Sequence, residues 1–462
     1  MEINSFINGI VWGPVMLVFI VGTGFYLTFA TKVLQVSGIA MWWRETFGKL
    51  FKKKSKVDDE NISPFAAVST ALASTVGTGN IAGVATAVFL GGPGAVFWMW
   101  VSGFVGMMTK YTEVTLSLKY RETDEKGQYH GGPMYYIKNG LGKNWMWLAA
   151  IFAFFGAFAT FGIGNMTQSN AIASALERSF NVPVLATGIV IAILVGIVII
   201  GGIKRISSVA EKLVPFMAVF YIIGCIIILG ANFSTLGNAF ALIFSSAFSF
   251  ESIGGGILGY AIMRGMRYGI ARGVFSNEAG LGSAPIVHAA SRNKSPVNQG
   301  FYGVFEVFID TIIICTLSGL VIVNAGMFTG ETSGIQLVML SFSEQFGYVG
   351  DIFVTIAIIC FAGSTILGWS YYGEQCLGFL TRNNKYVIIA YKVIFAGVAI
   401  IGAVGALEVI WDIADTLNGL MAIPNLIAVL LLSRKVFKMT KQYKKVYKES
   451  KGEIHDTGES IN

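Results

Sequence analysis

Two short stretches of this chain concentrate polar groups and glycines inside otherwise apolar sequence. The first, Ser74-Thr75-Val76-Gly77-Thr78-Gly79-Asn80, gathers hydroxyls, glycines and an amide where a lipid-facing helix would carry leucine. The second runs from Gly273 to Pro285 and reads GVFSNEAGLGSAP. Glycine permits backbone dihedrals that a helix does not use, and proline removes a backbone donor. A helix broken in this way presents the free N–H groups of a half-helix N-terminus, which suit a carboxylate. It also presents loosened carbonyls at the opposing C-terminus, which suit Na⁺ or an ammonium group. The chemistry open to these stretches is therefore the binding of a zwitterion with a cation beside it.

Catalytic constellations are missing. His130, His288 and His455 lie far apart and form no zinc-type spacing. Cys225, Cys315, Cys360 and Cys376 sit in apolar runs without CxxC spacing and read as small buried hydrophobes. Gly254-x-Gly256-x-x-Gly259 has the dinucleotide spacing but no βαβ context, and no HExxH or GxSxG occurs. An enzyme is not expected, and nothing suggests nucleic acid.

The elements that must position these stretches follow from composition. The 462 residues are 54% hydrophobic and 13% charged, against roughly a quarter charged in soluble proteins. With a mean hydropathy of +0.66, the expected solvent is a bilayer and the expected fold an all-α membrane protein. About 20 apolar residues span a membrane, and eleven stretches qualify: 8–31, 64–90, 94–118, 145–178, 183–202, 208–231, 254–290, 299–326, 350–378, 386–405 and 408–433. The first lacks a basic leader and reads as a spanning helix, not a cleaved signal. Lys and Arg are retained on the cytoplasmic side. With 32–60 inside, only Lys110, Arg178, Arg264, Arg267, Arg272 and Lys392 of the 33 fall outside the predicted cytoplasmic segments. The segments 232–253 and 327–349 read as outer loops. This places the N-terminus outside and the C-terminus in the cytoplasm of a multi-pass cell-membrane protein. The basic tail reads as a solvated segment beside anionic lipid.

Spans two to six (64–231) and seven to eleven (254–433) each open with an interrupted helix. Five is odd, so the second unit must be inverted. Paired interruptions in inverted halves point to a secondary-transporter site near the midplane. The chain accordingly divides into 1–60 (an extra span and a basic loop), the five-helix units 61–232 and 233–434, and the tail 435–462.

Three runs then carry a resemblance: ASTVGTGNIAGVATAVFLGGPGAVFWMWVSGFVG (73–106), HGGPMYYIKNGLG (130–142) and FSNEAGLGSAP (275–285). They resemble the alanine or glycine:cation symporter family from about residue 60 to 430. The resemblance implies the leucine-transporter type of inverted five-helix repeat with one extra N-terminal helix. It also implies Na⁺-coupled uptake of alanine and glycine by alternating access, with Na⁺ as coupling ion and no other cofactor.

On this reading the backbone of Gly77, Thr78 and Gly79 takes the substrate carboxylate, and the Thr75 carbonyl or hydroxyl meets the ammonium. Asn80 is expected to orient the break or to cap the helix after it, two roles that are compatible. Gly273, Val274, Phe275 and Ser276 form the opposing wall, with Phe275 limiting size. Gln168, in the run Phe161–Gln168, is either interhelical glue or a substrate contact. Similarity to the fold's sodium site implies ligation by the carbonyls of Ala73, Val76 and Phe361 and the hydroxyls of Ser364 and Thr365. Trp369, one turn beyond Thr365, either closes the pocket or is a packing aromatic. With Phe161 and Phe275 it would leave room for little more than a methyl group.

Ionisable groups within spans are functional candidates because burying them is costly; Glu278, Glu306, Asp310, Asp412 and Asp415 qualify. Lys110 and Glu113, three apart, are expected to pair. Arg264, Arg267 and Arg272 would neutralise carboxylates or lie at the headgroups. The alternatives are H⁺ coupling through Glu278 or Asp310 and, in a different class, an ion channel. Against the channel, no filter-like carbonyl run or charged ring is present.

Overall fold

The computed structural model describes residues 2–50, 61–248, 256–330, 332–405 and 408–450. His455, Gly254, the side chain of Asp412 and the tail beyond 450 lie outside the described residues. Helix covers each of the eleven expected stretches. In chain order the main helices are α1 (Glu2–Val11), α2 (Pro14–Ala30), α3 (Pro64–Thr75), α4 (Val84–Gly91), α5 (Gly94–Tyr120), α6 (Met146–Phe161), α7 (Thr167–Phe180), α8 (Val184–Ile200) and α9 (Gly202–Ala231). They continue as α10 (Phe233–Phe248), α11 (Gly256–Asn277), α12 (Ala284–Ala289), α13 (Pro296–Val307), α14 (Thr316–Ala325), α15 (Gly334–Phe346), α16 (Tyr348–Thr381), α17 (Lys385–Val404) and α18 (Glu408–Glu449). Among the described residues, 7 helices are long and apolar enough to cross a membrane, or 8 if the bent pair α3/α4 counts as one span. Three expected spans fall short of that test: the 17-residue α8, and α5 and α11, which carry Lys110 and Glu113 and three arginines.

Three expectations need correction. The outer segments 232–253 and 327–349 contain helices α10 and α15. Ala239, Ile243 and Ala247 of α10 recur every fourth residue and are buried, which seats that helix on α5, with Phe97 4.7 Å from Phe248 between ring centres. The tail, in turn, is not simply solvated, since α18 continues through it to Glu449. Val436, Thr440 and Tyr443 share one face. Val436 is buried, Thr440 Oγ1 and Tyr111 Oη are hydrogen-bonded at 2.7 Å, and Tyr443 meets the Phe301 ring edge at 5.7 Å.

The interior is organised around α5. Every residue from Thr109 to Leu118 is buried, so its polar groups must be satisfied by protein. Gly300 and Gly303 let α13 approach closely; a Cβ on Gly303 would lie 3.0 Å from Lys110 Cγ. This contact positions Lys110 Nζ 3.2 Å from Glu306 Oε1. Gln299 Nε2 donates to His288 Nδ1 at 2.9 Å, which leaves His288 Nε2–H for Glu306 Oε2 at 3.1 Å. The expected Lys110–Glu113 pair is absent. Glu113 Oε1 instead accepts from Gly280 N at 3.0 Å and Asn425 Nδ2 at 2.5 Å. On a helix buried all round, each charge takes a partner from a neighbouring element.

The side predicted to be cytoplasmic is braced at the same helix. Arg121, at the end of α5, donates to the carbonyls of Ala289 (3.0 Å), Ser291 (2.5 Å) and Asn293 (3.0 Å). A two-strand hairpin, Glu122–Thr123 with Tyr129–His130, follows. His130 then bridges Asp124 and Gln375.

Breaking a buried pair by removing one partner costs about 3–5 kcal/mol. Lys110→Met should therefore lower the thermal unfolding midpoint of the detergent-purified protein sharply. Adding Glu306→Gln should recover much of the loss. Equal midpoints for the single and double variants would show that the two groups are not coupled.

Candidate functional site

The first break follows α3 directly. Ser63 caps α3, its Oγ accepting from Ala66 N at 2.9 Å. The helix ends at Thr75, and the chain resumes as a π-helical turn, Gly79–Gly83, bent by 51°. Asn80 Oδ1 reaches back across the gap to accept from Gly77 N at 2.9 Å. Its amide therefore orients the break and does not cap the following turn. Gln168 Oε1 accepts from Thr78 N at 3.4 Å, while Gln168 Nε2 donates to Ile163 O at 3.0 Å. Two of the three amides expected to meet a carboxylate, those of Gly77 and Thr78, thus already face side-chain oxygens, from Asn80 and Gln168. Thr75 Oγ1 donates to Ala71 O at 3.1 Å within α3, so the carbonyl is what Thr75 can offer a ligand.

Helix α16 supplies the second set of groups. Ser364 Oγ donates to Ala73 O (3.1 Å) and Phe361 O (2.9 Å), and Thr365 Oγ1 to the same two carbonyls (3.2 and 3.0 Å). Four of the five expected cation ligands are thereby brought together. The fifth, Val76, is the first residue past α3, where ψ of 88° departs from the helix. Gly77 adjoins this cluster, since a Cβ there would collide with Thr365 Oγ1 and lie 3.5 Å from Gln168 Oε1. Neutral oxygens alone suit a hard monovalent ion. Among the described residues no group of three or more His, Cys, Asp or Glu is placed to hold a metal.

The second break occupies only the later part of the expected stretch Gly273 to Pro285. Helix α11 runs unbroken through Asn277, and the interruption occupies 278–283, with positive φ at Glu278 (55°), Gly280 (96°) and Gly282 (81°). Gly273 to Ser276 therefore lie on regular helix, and the Val274 carbonyl accepts from Glu278 N at 2.8 Å. Gly273 packs on α5, where a Cβ would meet Ser102 and Met99. Val274 packs with Trp12, Met16 and Leu281. Neither forms the expected wall. Phe275 and Ser276 do face the first break. A Cβ on Gly79 would lie 3.3 Å from both Phe275 Cδ1 and Ser276 Cα, and Phe275 lines a cavity of about 240 Å³ with Thr78, Gly79, Ala82 and Thr86.

Two other aromatic expectations also change. Trp369 Nε1 donates to Glu278 Oε1 at 3.0 Å, and its ring atoms abut Gly164, so it braces the second break. Phe161 turns toward Tyr391 and Phe395, with ring centres at 5.5 and 6.0 Å, and is not a pocket wall.

Asp310, on the π-helical turn Phe308–Cys315, emerges as the group that ties the two breaks together. Its Oδ1 accepts from Asn80 Nδ2 at 2.6 Å, and its Oδ2 from Ser276 Oγ at 3.0 Å and Thr311 Oγ1 at 2.8 Å. From the sequence it stood out as an intramembrane carboxylate and, with Glu278, as the proton carrier of the H⁺-coupled alternative. Asn425 gave no such signal. It donates to Gly280 O at 2.8 Å as well as to Glu113, and accepts from Tyr136 Oη. On the predicted outer side, Arg272 Nη1 lies 3.6 Å from Asp415 Oδ2, as its expected neutralising role requires. Trp12 Nε1 donates to Asp415 O at 3.0 Å and Asn8 Nδ2 to Thr416 Oγ1 at 3.2 Å, which docks α1 on the start of α18.

A sequence model of the sodium:alanine symporter family matches residues 1–457. The chain belongs to the sodium:alanine symporter family. A sodium/alanine symporter of Methanococcus maripaludis, AgcS, is 48% identical over 96% of this chain and 97% of its own. The probable sodium/glutamine symporter GlnT of Bacillus subtilis is 37% identical over 97% and 91%. In fold, the chain resembles a manganese transporter of Eremococcus coleocola with a TM-score of 0.56, 13% identity, and coverage of 80% of this chain and 78% of that one. The protein is thus a multi-pass membrane transporter, a Na⁺-coupled amino-acid symporter and not an enzyme.

The contact of Gly79 with Phe275 and Ser276 gives the symporter a direct test. Gly79→Leu should abolish amino-acid binding while the detergent-extracted protein stays monodisperse. Undiminished affinity in that variant would return Gly79 to a purely packing role.

Proposed function

We propose that the symporter takes up small neutral amino acids, alanine and glycine, with Na⁺ across the cell membrane. The observation that carries this reading is the meeting of Gly79 with Phe275 and Ser276, two residues from Gly77, which abuts Thr365 of the oxygen cluster of Ala73, Phe361, Ser364 and Thr365. The substrate carboxylate would take the amides of Gly77, Thr78 and Gly79 and displace Gln168 Oε1 from Thr78 N–H. The ammonium would meet the Thr75 carbonyl. Na⁺ would sit among the carbonyls of Ala73, Val76 and Phe361 and the rotated hydroxyls of Ser364 and Thr365.

Alternating access would come from two inverted five-helix units, 61–232 and 233–434, with the N-terminus outside and the C-terminus cytoplasmic. Corresponding helices of the two units pack on each other in support of this: α5 on α13, α6 on α16 and α8 on α17. Alanine is favoured by the name of the M. maripaludis relative. The B. subtilis relative named for glutamine makes side-chain size the property to test. Phe275 is the large group nearest Gly79, and displacing packed atoms costs about 1–3 kcal/mol, a factor of roughly 5–150 in affinity.

Alanine binding to purified protein should require NaCl and fail in choline chloride. Ser364→Ala with Thr365→Ala should weaken the Na⁺ dependence more than the substrate preference. An unchanged Na⁺ response would remove these hydroxyls from the cation site, and uptake driven by a proton gradient without Na⁺ would overturn the coupling.

In competition binding, glycine should displace alanine, serine should do so less well, and leucine or glutamine hardly at all. Phe275→Ala should admit larger side chains while weakening alanine. Displacement by leucine at equal concentration would show that Phe275 does not set the size limit.

A further inference from the structure

A second binding feature lies away from the breaks, on the lipid-facing side of α11. Helices α2 and α11 diverge over α5 and leave a groove of about 490 Å³, within the ~300–1,000 Å³ range of small-molecule sites. Its walls are apolar, among them Leu17, Val18 and Val21 of α2 and Met266 and Ile270 of α11. Val18 and Met263 at its lips are 70% and 50% exposed, so the groove opens toward the bilayer.

Two features make it more than an apolar cleft. Arg264 and Arg267 line it one helical turn apart, and both guanidinium groups lie against the Tyr268 ring, at 5.9 and 5.7 Å from its centre. Arg267 is exposed and has no acidic partner among the described residues. Trp98, which lines the same groove, has a buried indole N–H with no acceptor among the described residues. A buried donor without a partner costs about 1–3 kcal/mol, and an acceptor carried by whatever fills the groove would remove that cost.

We propose that this groove is a binding site for one anionic phospholipid of the outer leaflet, of the phosphatidylglycerol type. One acyl chain lies between α2 and α11, the phosphate meets Arg267 and Arg264, and an ester or phosphate oxygen accepts from Trp98 Nε1. The negative headgroup matches the two arginines, whereas the choline or ethanolamine of a zwitterionic lipid would offset that match. The inference rests on the predicted outward placement of the N-terminus and not on which amino acid is carried. Because α11 also carries Arg272 and Phe275, the lipid would brace the helix that forms one wall of the substrate cavity.

The test is native mass spectrometry of the full-length protein taken from vesicles of equal parts phosphatidylglycerol and phosphatidylcholine. One phosphatidylglycerol should be retained in at least tenfold preference over phosphatidylcholine. Arg264→Gln with Arg267→Gln should reduce that preference about tenfold. Val18→Trp, which fills the groove without touching a charge, should lower retention of both lipids. Equal thermal midpoints would show that the variants fold. Added inorganic phosphate should not displace the lipid. Equal retention of the two lipids by the unmodified protein, or an undiminished preference in the arginine variant, would overturn the proposal. So would release by inorganic phosphate alone, which would mark a simple anion site.

Discussion

A broken helix inside a bilayer frees backbone groups that no water can satisfy, so the protein itself must supply their partners. Most of the interior follows from meeting that demand twice. At the first break, Asn80 holds the Gly77 amide and Gln168 the Thr78 amide, while two hydroxyls of α16 donate to the Ala73 carbonyl near the end of α3. At the second, Glu113 accepts from Gly280 N, and Asn425 donates to Gly280 O. The groups that satisfy the breaks come mostly from other helices. The breaks therefore fix the packing of α5, α7, α16 and α18 as much as that packing fixes them.

The two breaks are built differently. The first is short, and its freed amides are held by neutral side-chain oxygens. The second spans six residues and is held by carboxylates, with Glu278 between Trp369 and Ser283 and Glu113 at Gly280. Asp310 joins them, because one carboxylate holds Asn80 of the first and Ser276 beside the second. Movement of either break must therefore be felt at the π-helical turn that carries Asp310.

The extra N-terminal helices extend this arrangement to the predicted outer face. Helix α1 fastens the start of α18 through Trp12 and Asn8, at the residue that pairs with Arg272. Arg272 in turn lies 5.4 Å over the Phe275 ring. A chain of contacts thus runs from α1 to the aromatic side chain beside Gly79.

Apolar run lengths and the placement of Lys and Arg determined the helices, their order and their expected orientation, because hydrophobic length and charge retention are local properties of the chain. The first break was legible for the same reason, since Gly77 and Gly79 stand out against apolar neighbours, whereas the oxygen cluster around Ser364 and Thr365 was implied by the family resemblance. Partnership was not legible. Lys110 lies three residues from Glu113 yet pairs with Glu306, and Asn425 looked like an ordinary residue of an apolar helix. The stretch expected for the second break began too early, since Gly273 reads as a helix breaker but is small in order to pack on Ser102. Composition likewise could not show that the segments 232–253 and 327–349 would contain α10 and α15 or that the tail would continue as helix. Which face of a residue meets which neighbour is set by how the helices approach, at Gly300 and Gly303 against α5 for example, and that is decided only when all of them pack together.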